Sequence, residues 1–422
     1  MNARAVIRVT YRIETSGSVE KLAAKIASDQ STGTFVALPG ETEALRARAA
    51  ARVVKLTTIE PALAASFPAS GSGPFNRGEA VIEFPLDAVG ADLAAVMTVA
   101  IGGVYSIKGL TGIRITGLEL PDEFRERYPG PAFGTPGSFA LTQVKDRPII
   151  GSIIKPALGL TLDETAGMTR QLIEAGIDFI KDDEKLMSPA YSPLAARVKA
   201  VMPVIRDHEQ RTGKKVMYAW GISAADPDEM LSNHDCVLEA GGNCAVININ
   251  SIGLGAMLFL RKRSGIVLHA HRNGWDILTR HPGLGLDFSV YQQFWRLAGV
   301  DQFQINGIGA KYWEPDESFV ASFKSVTTPI FSAADCALPV VCSGQWGGQA
   351  PETFARTGGS LDLMYLCGGG ILSHPGGLGA GVRAVRQAWE AAAARIPLAD
   401  YARAHRELAQ SLEKFGGGAG DA

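Results

Sequence analysis

GIDFIKDDEKLM, Gly176–Met187, is the stretch whose reading decides the fold. An apolar run through Phe179 and Ile180 meets Lys181, Asp182, Asp183 and Glu184 in succession. A four-residue charge run is most often a solvated strand end with local ion pairs. Two features argue for more here. The preceding GIDFI is apolar enough to lie in a buried wall, and other strand-like runs of the chain also end in polar residues.

Those runs begin at about residue 148: PIIGSIIKPA, GIDFIKDDE, KVMYAWG, CAVININ, GIVLHAHR, DQFQINGIG, LPVVCSGQ and LDLMYLCGGG. Helix-like segments such as TLDETAGMTRQLIEAG and DESFVASFKSV lie between them. Eight β-then-α units over roughly 250 residues is the count and size of a (β/α)8, or TIM, barrel. A doubly wound open sheet is the alternative, but it usually has fewer strands and a GxGxxG turn after an early strand. In a barrel the active site forms at the C-terminal ends of the strands. The candidates are therefore Lys155, Lys181, Asp183, Glu184, Asn248, Asn250, His269, His271, Arg272, Gln304, Asn306, Ser343 and Gly368 to Gly370.

The first ~135 residues mix strand and helix patterns, an α+β rhythm. IRVTYRIET, FVALPG, RVVKLTTIE and AVIEFPL read as strands, and VEKLAAKIASDQ and ADLAAVMTVAIGG as helices. A Pro- and Gly-rich connection, PDEFRERYPGPAFGTPGSFAL, follows. The expected division is an N-terminal domain over 1–135, a barrel over 136–415 and a flexible tail over 416–422.

The bulk composition narrows the function class. The 422 residues are 46% hydrophobic and 20% charged, with 41 Lys plus Arg against 43 Asp plus Glu. A net charge of −2 and the absence of a basic run give no reason to expect nucleic acid or an anionic membrane as partner. Apolar stretches are broken well before the ~18 residues of a membrane span. Five cysteines with no CxxC pair suit free thiols in a reducing cytoplasm. The expectation is a cytoplasmic protein.

Clustered carboxylates at a strand end can hold Mg2+, which takes oxygen ligands. Strand periodicity puts Lys181 and Asp183 on one face, and Glu184 joins them if the strand ends there. A protonated lysine would repel the metal. An amine that had reacted with CO2 would instead offer an anionic carbamate oxygen, and a lysine among acids then makes chemical sense.

Taken together, GIDFIKDDE, IIKPALGL, LHAHR, STGTF and LCGGGILSHP resemble the RuBisCO large-chain superfamily, over most of the chain and in the right order. The resemblance implies an N-terminal α+β domain of ferredoxin-like type, a barrel, and a homodimer whose site is completed by the partner's N-terminal domain. It implies Mg2+ on a carbamylated Lys181 with Asp183 and Glu184. It makes Lys155 the proton-handling lysine near the enediolate, His271 an active-site histidine, Arg272 a phosphate-binding arginine and Lys311 the mobile-loop lysine. Ser343, Gly344, Gly368 and Gly369 match phosphate contacts, and Thr34 would reach the substrate of the neighbouring subunit.

Departures from the carboxylases then set the expected function. Ala157 stands where they have a second lysine, Asp29 where they have glutamate, Phe35 where they have tryptophan, and Gly103 where they have asparagine. Gln304 replaces a phosphate-side histidine, and Gln345 a glycine. Losing one such donor costs on the order of 3 kcal/mol of transition-state stabilisation, so efficient CO2 fixation is not expected. The retained metal set with Lys155 and His271 suits enolisation, the pattern of the RuBisCO-like (form IV) proteins. The expected substrate is a keto-sugar or 3-oxo sugar-acid derivative with one phosphate, its phosphate at the triple-glycine turn and a carboxylate facing Arg272. Decarboxylase or hydrolase, enolase and isomerase outcomes remain open. So do a methylthio-pentulose-phosphate isomerase or enolase of methionine salvage, an unusual true carboxylase, and a non-catalytic scaffold.

Overall fold

A computed structural model describes residues 4–34, 36, 38–68 and 73–417. The chain divides into two compact units. The first comprises Met1–Pro129 with Gly274–Phe294; the second comprises Gly130–Asn273 with Trp295–Ala422.

The first unit holds strands β1 (Val6–Thr15), β2 (Arg52–Ala62), β3 (Phe75–Pro85) and β4 (Leu110–Glu119). They pair antiparallel in the order β4-β1-β3-β2, with the helices Val19–Asp29 and Leu93–Ile101 after β1 and β3. This is the ferredoxin-like arrangement. Ser18 and Asp92 accept from first-turn N–H groups and start these two helices, and Leu22, Ala23, Ile26 and Ala27 form the buried stripe of the first. The sequence reading passes over β4, because Gly112 and Gly117 interrupt its pattern and glycine weakens a strand signal. It expects a strand at FVALPG; Phe35 and Ala37 lie outside the described residues, while Val36 and Leu38 to Gly40 are bend, coil and turn.

A fifth strand, β10 (Leu284–Leu286), comes from far along the chain and pairs parallel with β4. Arg114 secures it with donations to the carbonyls of Thr279 (3.0 Å) and Leu284 (3.0 Å) and an ion pair to Asp287 (2.5 Å). Segment Gly274–Phe294 thus belongs with the N-terminal sheet, although a linear division leaves it in the barrel.

In the second unit, among the described residues, eight parallel strands close a barrel. They are β5 (Ile149–Ile153), β6 (Phe179–Lys181), β7 (Met217–Gly221), β8 (Cys244–Asn248), β9 (Val267–His271), β11 (Gln302–Asn306), β12 (Leu338–Cys342) and β13 (Met364–Cys367). All eight apolar runs are strands. Their alternate residues Ile149, Phe179, Met217, Val246, Val267, Val340 and Leu366 belong to one buried apolar cluster. The same alternation carries Lys181, His269, His271, Gln304 and Asn306 onto that face, nearer the strand ends. The connecting helices are locally specified. In Leu162–Glu174, Thr161 and Glu164 form a capping box, and Thr165, Thr169, Leu172 and Ile173 make the buried stripe, as helical spacing requires.

Candidate active site

The KDDE segment alternates between two environments. The backbone ladder continues through Asp182, whose N–H donates to the Ala219 carbonyl (3.0 Å), and the chain turns at Asp183, where Leu186 N–H returns to the Asp183 carbonyl (2.9 Å). Lys181 and Asp183 are both fully buried. Asp182 points the other way and is satisfied there. It accepts from Arg197 Nε (3.1 Å), Tyr218 Oη (2.7 Å) and Gly221 N (3.0 Å). Arg197, itself fully buried, also donates to the Ser192 and Met187 carbonyls (2.7 Å each). Arg197 therefore ties the loop after KDDE to the strand end. The sequence reading missed this pair; Asp182 was visible only as one of three acids.

On the inward side, three lysines surround two carboxylates. Lys155 pairs with Asp183. Lys181 Nζ lies 3.6 Å from Glu184 Oε2 and donates to the Asp182 carbonyl at 2.7 Å. Lys185 Nζ donates to Glu184 Oε1 at 3.0 Å. His271 Nε2 stands 3.5 Å from Glu184 Oε2. Asn248 donates to the Glu184 carbonyl at 2.7 Å and so holds the turn. Asn250, expected at the end of the same strand, instead lies in the helix Ile249–Arg261 and donates to the Asn273 carbonyl (2.7 Å).

Burial lowers the pKa of Lys181, against the opposing pull of Glu184, Asp183 and Asp182. Burial alone would raise that of Glu184, but His271 and Lys181 outweigh it and hold the carboxyl well below its usual range. Among the described residues no three His, Cys, Asp or Glu side chains assemble as a metal cluster. The donor set nevertheless fits a hard cation on one condition. Asp183 and Glu184 supply two anionic groups, and Lys181 beside them supplies a third once its amine carries CO2. Burial favours the neutral amine, which is the form that reacts with CO2.

Deeper in the barrel, His269 is sandwiched between two glutamines. Its Nδ1 lies 2.9 Å from Gln302 Oε1, and its Nε2 accepts from Gln304 Nε2 at 2.9 Å. Burial, then the charge on Lys181, pushes its pKa down to about 3. Gln304, expected at the phosphate, is buried with its amide committed to His269. Gln345 is likewise inward: it donates to the Ile308 carbonyl (3.2 Å) and accepts from Tyr365 Oη (3.1 Å). A Cβ on Gly307 would sit 2.2 Å from its side chain, so this loop needs glycine where glutamine fills the space.

At the far side of the mouth Arg272 is 3% exposed. It donates to Asn306 Oδ1 and to Ser343 Oγ (3.3 Å), and faces Glu314 at 3.5 Å. Ser343 holds a positive φ of 78° and is followed by Gly344 at 90°. Lys311 is exposed, its ammonium over the Tyr312 ring, while its N–H donates to the Ser343 carbonyl (3.0 Å). Gly368 and Gly369 follow β13, and a Cβ on either would meet nothing within 4 Å. Thr34 is exposed in the first unit.

Residues 138–415 match the ribulose bisphosphate carboxylase large chain, catalytic domain, and residues 3–124 its N-terminal domain. The chain belongs to the RuBisCO large-chain family. Within that family it is a RuBisCO-like protein. It is 68% identical over 416 residues, 98% of this chain and 99% of the relative, to the 3-oxo-isoapionate-4-phosphate decarboxylase of Rhizobium rhizogenes. It is 43% identical over 408 residues, 96% of this chain and 98% of the relative, to the 3-oxo-isoapionate-4-phosphate transcarboxylase/hydrolase of Xanthobacter autotrophicus. The crystal structure of a RuBisCO-like protein from Burkholderia fungorum superposes with a TM-score of 0.91 at 39% identity, covering 97% of this chain and all of that one.

Proposed function

We propose that the chain is a Mg2+-dependent decarboxylase of a 3-oxo sugar-acid phosphate, with 3-oxo-isoapionate 4-phosphate as the first candidate. The observation that carries this reading is a fully buried Lys181 set against Asp183 and Glu184 at a barrel mouth, in a chain 68% identical over almost its full length to a decarboxylase of that substrate. Lys181 as its CO2-derived carbamate, Asp183 and Glu184 would hold the ion. When bound, the ion stabilises negative charge developing on the substrate oxygens.

The remaining roles are assigned to side chains at the mouth. Loss of CO2 from a 3-oxo acid breaks the C1–C2 bond and leaves its electron pair in an enolate, which then takes a proton at carbon. Lys155, beside Asp183, delivers that proton; His271 and Lys311 flank the reacting carbons. Gly368 and Gly369, with open space before them, receive the phosphate through backbone N–H groups. Ser343, Gly344 and Arg272 line the opposite side, and Gln304 acts behind them through His269. We further propose a cytoplasmic homodimer in which Thr34 of one subunit completes the barrel site of the other, with the domains dividing near residue 135. Five free cysteines are in keeping with that compartment, and no helix of the described residues is long and apolar enough to cross a membrane.

The test is CO2 release from 3-oxo-isoapionate 4-phosphate with Mg2+ and bicarbonate, followed by proton and phosphorus NMR in D2O. Ribulose bisphosphate and methylthioribulose phosphate serve as competitors. Conversion of the oxo acid alone, reduced ~100-fold or more in Lys181→Ala, is the expected result. Conversion of a competitor instead would reassign the enzyme to the carboxylases or to methionine salvage. No exchange with any compound, and no difference from Lys181→Ala, would favour a scaffold.

A further inference from the structure

We propose that Glu314 is an internal counter-anion that occupies the Arg272 side of the site and so excludes a second phosphate. The inference deepens the reading above and rests on it.

Arg272 ends the barrel segment after β9 and is the arginine expected to meet an anionic group of the substrate. The structure assigns that place to a carboxylate of the chain itself. Glu314 is 6% exposed and lies 3.5 Å from Arg272 Nη1. Its two oxygens are engaged from opposite sides, one by Asn306 Nδ2 and one by Ser318 Oγ. Asn306 in turn accepts from Arg272, so Arg272, Asn306, Glu314 and Ser318 form one connected set, which Arg272 also joins to Ser343 (3.3 Å). The guanidinium and the carboxylate balance, leaving no net positive charge to receive a phosphate dianion.

Glu314 is also held by its backbone. The loop that carries it is pinned by Lys311 N–H to the Ser343 carbonyl (3.0 Å), by Gly309 N–H to Asp316 Oδ1 (2.8 Å) and by Gln345 to the Ile308 carbonyl (3.2 Å). Directly after it, the helix Asp316–Thr327 begins behind Pro315. An incoming phosphate at Arg272 must therefore stand beside a buried like charge or displace an anchored loop. A hydroxyl or carbonyl oxygen needs neither. Like-charge juxtaposition of this kind is how a site rejects a near analogue. The selected substrate carries one phosphate, at the glycine turn, and toward Arg272 an uncharged group in place of the carboxylate expected there from the sequence.

The test compares calorimetric binding of ribulose 5-phosphate and ribulose 1,5-bisphosphate to the Mg2+- and bicarbonate-treated enzyme and to Glu314→Gln. That variant keeps the side-chain shape and removes the charge. The expected result is a gain for the bisphosphate of about tenfold or more, with the monophosphate unchanged. An unchanged ratio overturns the proposal, as does absence of bisphosphate binding to both proteins. If Glu314→Gln fails to fold, the wild type decides. There the bisphosphate should bind about tenfold or more weaker than the monophosphate. Equal affinities overturn the proposal. Because CO2 release is measured separately, an unchanged ratio in an active decarboxylase removes only the role of Glu314. A shifted ratio in an inactive one removes only the proposed reaction.

Discussion

A buried charge persists in a folded protein only where partners meet it, and Asp182 and Arg197 are both fully buried. Replacing one partner strands the other, at a cost of ~3–5 kcal/mol. Asp182→Asn is therefore expected to lower the free energy of unfolding by that order, read as a fall in the urea midpoint, with activity falling as well, because the Lys181–Glu184 turn loses its anchor. A midpoint unchanged from wild type would show the pair to be dispensable. His269 gives a pH dependence of definite sign. Its native pKa is about 3, against ~6.5 in an unfolded chain. Between those values the unfolded chain binds a proton that the native chain does not, so stability falls as the pH is lowered, by ~1.4 kcal/mol per unit. Above ~6.5 this contribution is constant. Urea titrations from neutral to acid pH should show the slope, and His269→Gln should flatten it by one proton. An identical slope in the variant would place its origin elsewhere.

The strand ends are where local pattern and site chemistry meet. β6 is three residues long, and its alternation sends Lys181 inward and Asp182 outward, so one residue of register decides which acid reaches the mouth. The turn after β13 offers a sharper contrast. A Cβ on Gly370 would lie 2.4 Å from the Gln345 carbonyl oxygen, whereas one on Gly369 would meet nothing. Gly370→Ala should overpack the turn and cost ~1–3 kcal/mol. Gly369→Ala should leave thermal stability unchanged or raise it by up to ~1 kcal/mol, while raising KM for a phosphorylated substrate. Equal KM values for wild type and Gly369→Ala would remove the phosphate from this turn.

At the scale of the whole molecule, the proposed shared site can be tested without a structure of the assembly. Lys181→Ala and Thr34→Ala should each be inactive alone. Mixed after unfolding and refolding together, they should regain about a quarter of wild-type activity, since half the dimers are hybrids with one intact site of two. No recovery on mixing would mean that Thr34 serves its own subunit or none. The chain path also matters at this scale. Segment Gly274–Phe294 leaves the barrel sequence to add β10 to the N-terminal sheet, under the grip of Arg114 on Thr279, Leu284 and Asp287.

The barrel was legible from residues alone because its signals are short-range. Eight apolar runs ending in polar residues, the KDDE cluster and the alternation that puts Lys181 with Asp183 all lie within a few residues of one another. The family resemblance added the ligand set and the expected enolising chemistry. Pairings between distant segments carry no such local mark. Nothing near Gln304 announces that its amide lies against His269, nor near Arg272 that Glu314 faces it, and β4 hides behind its glycines. Side-chain periodicity follows from backbone geometry, which each stretch of chain fixes for itself. Which buried charge finds which partner depends on how remote stretches pack, and that was decided only by the tertiary structure.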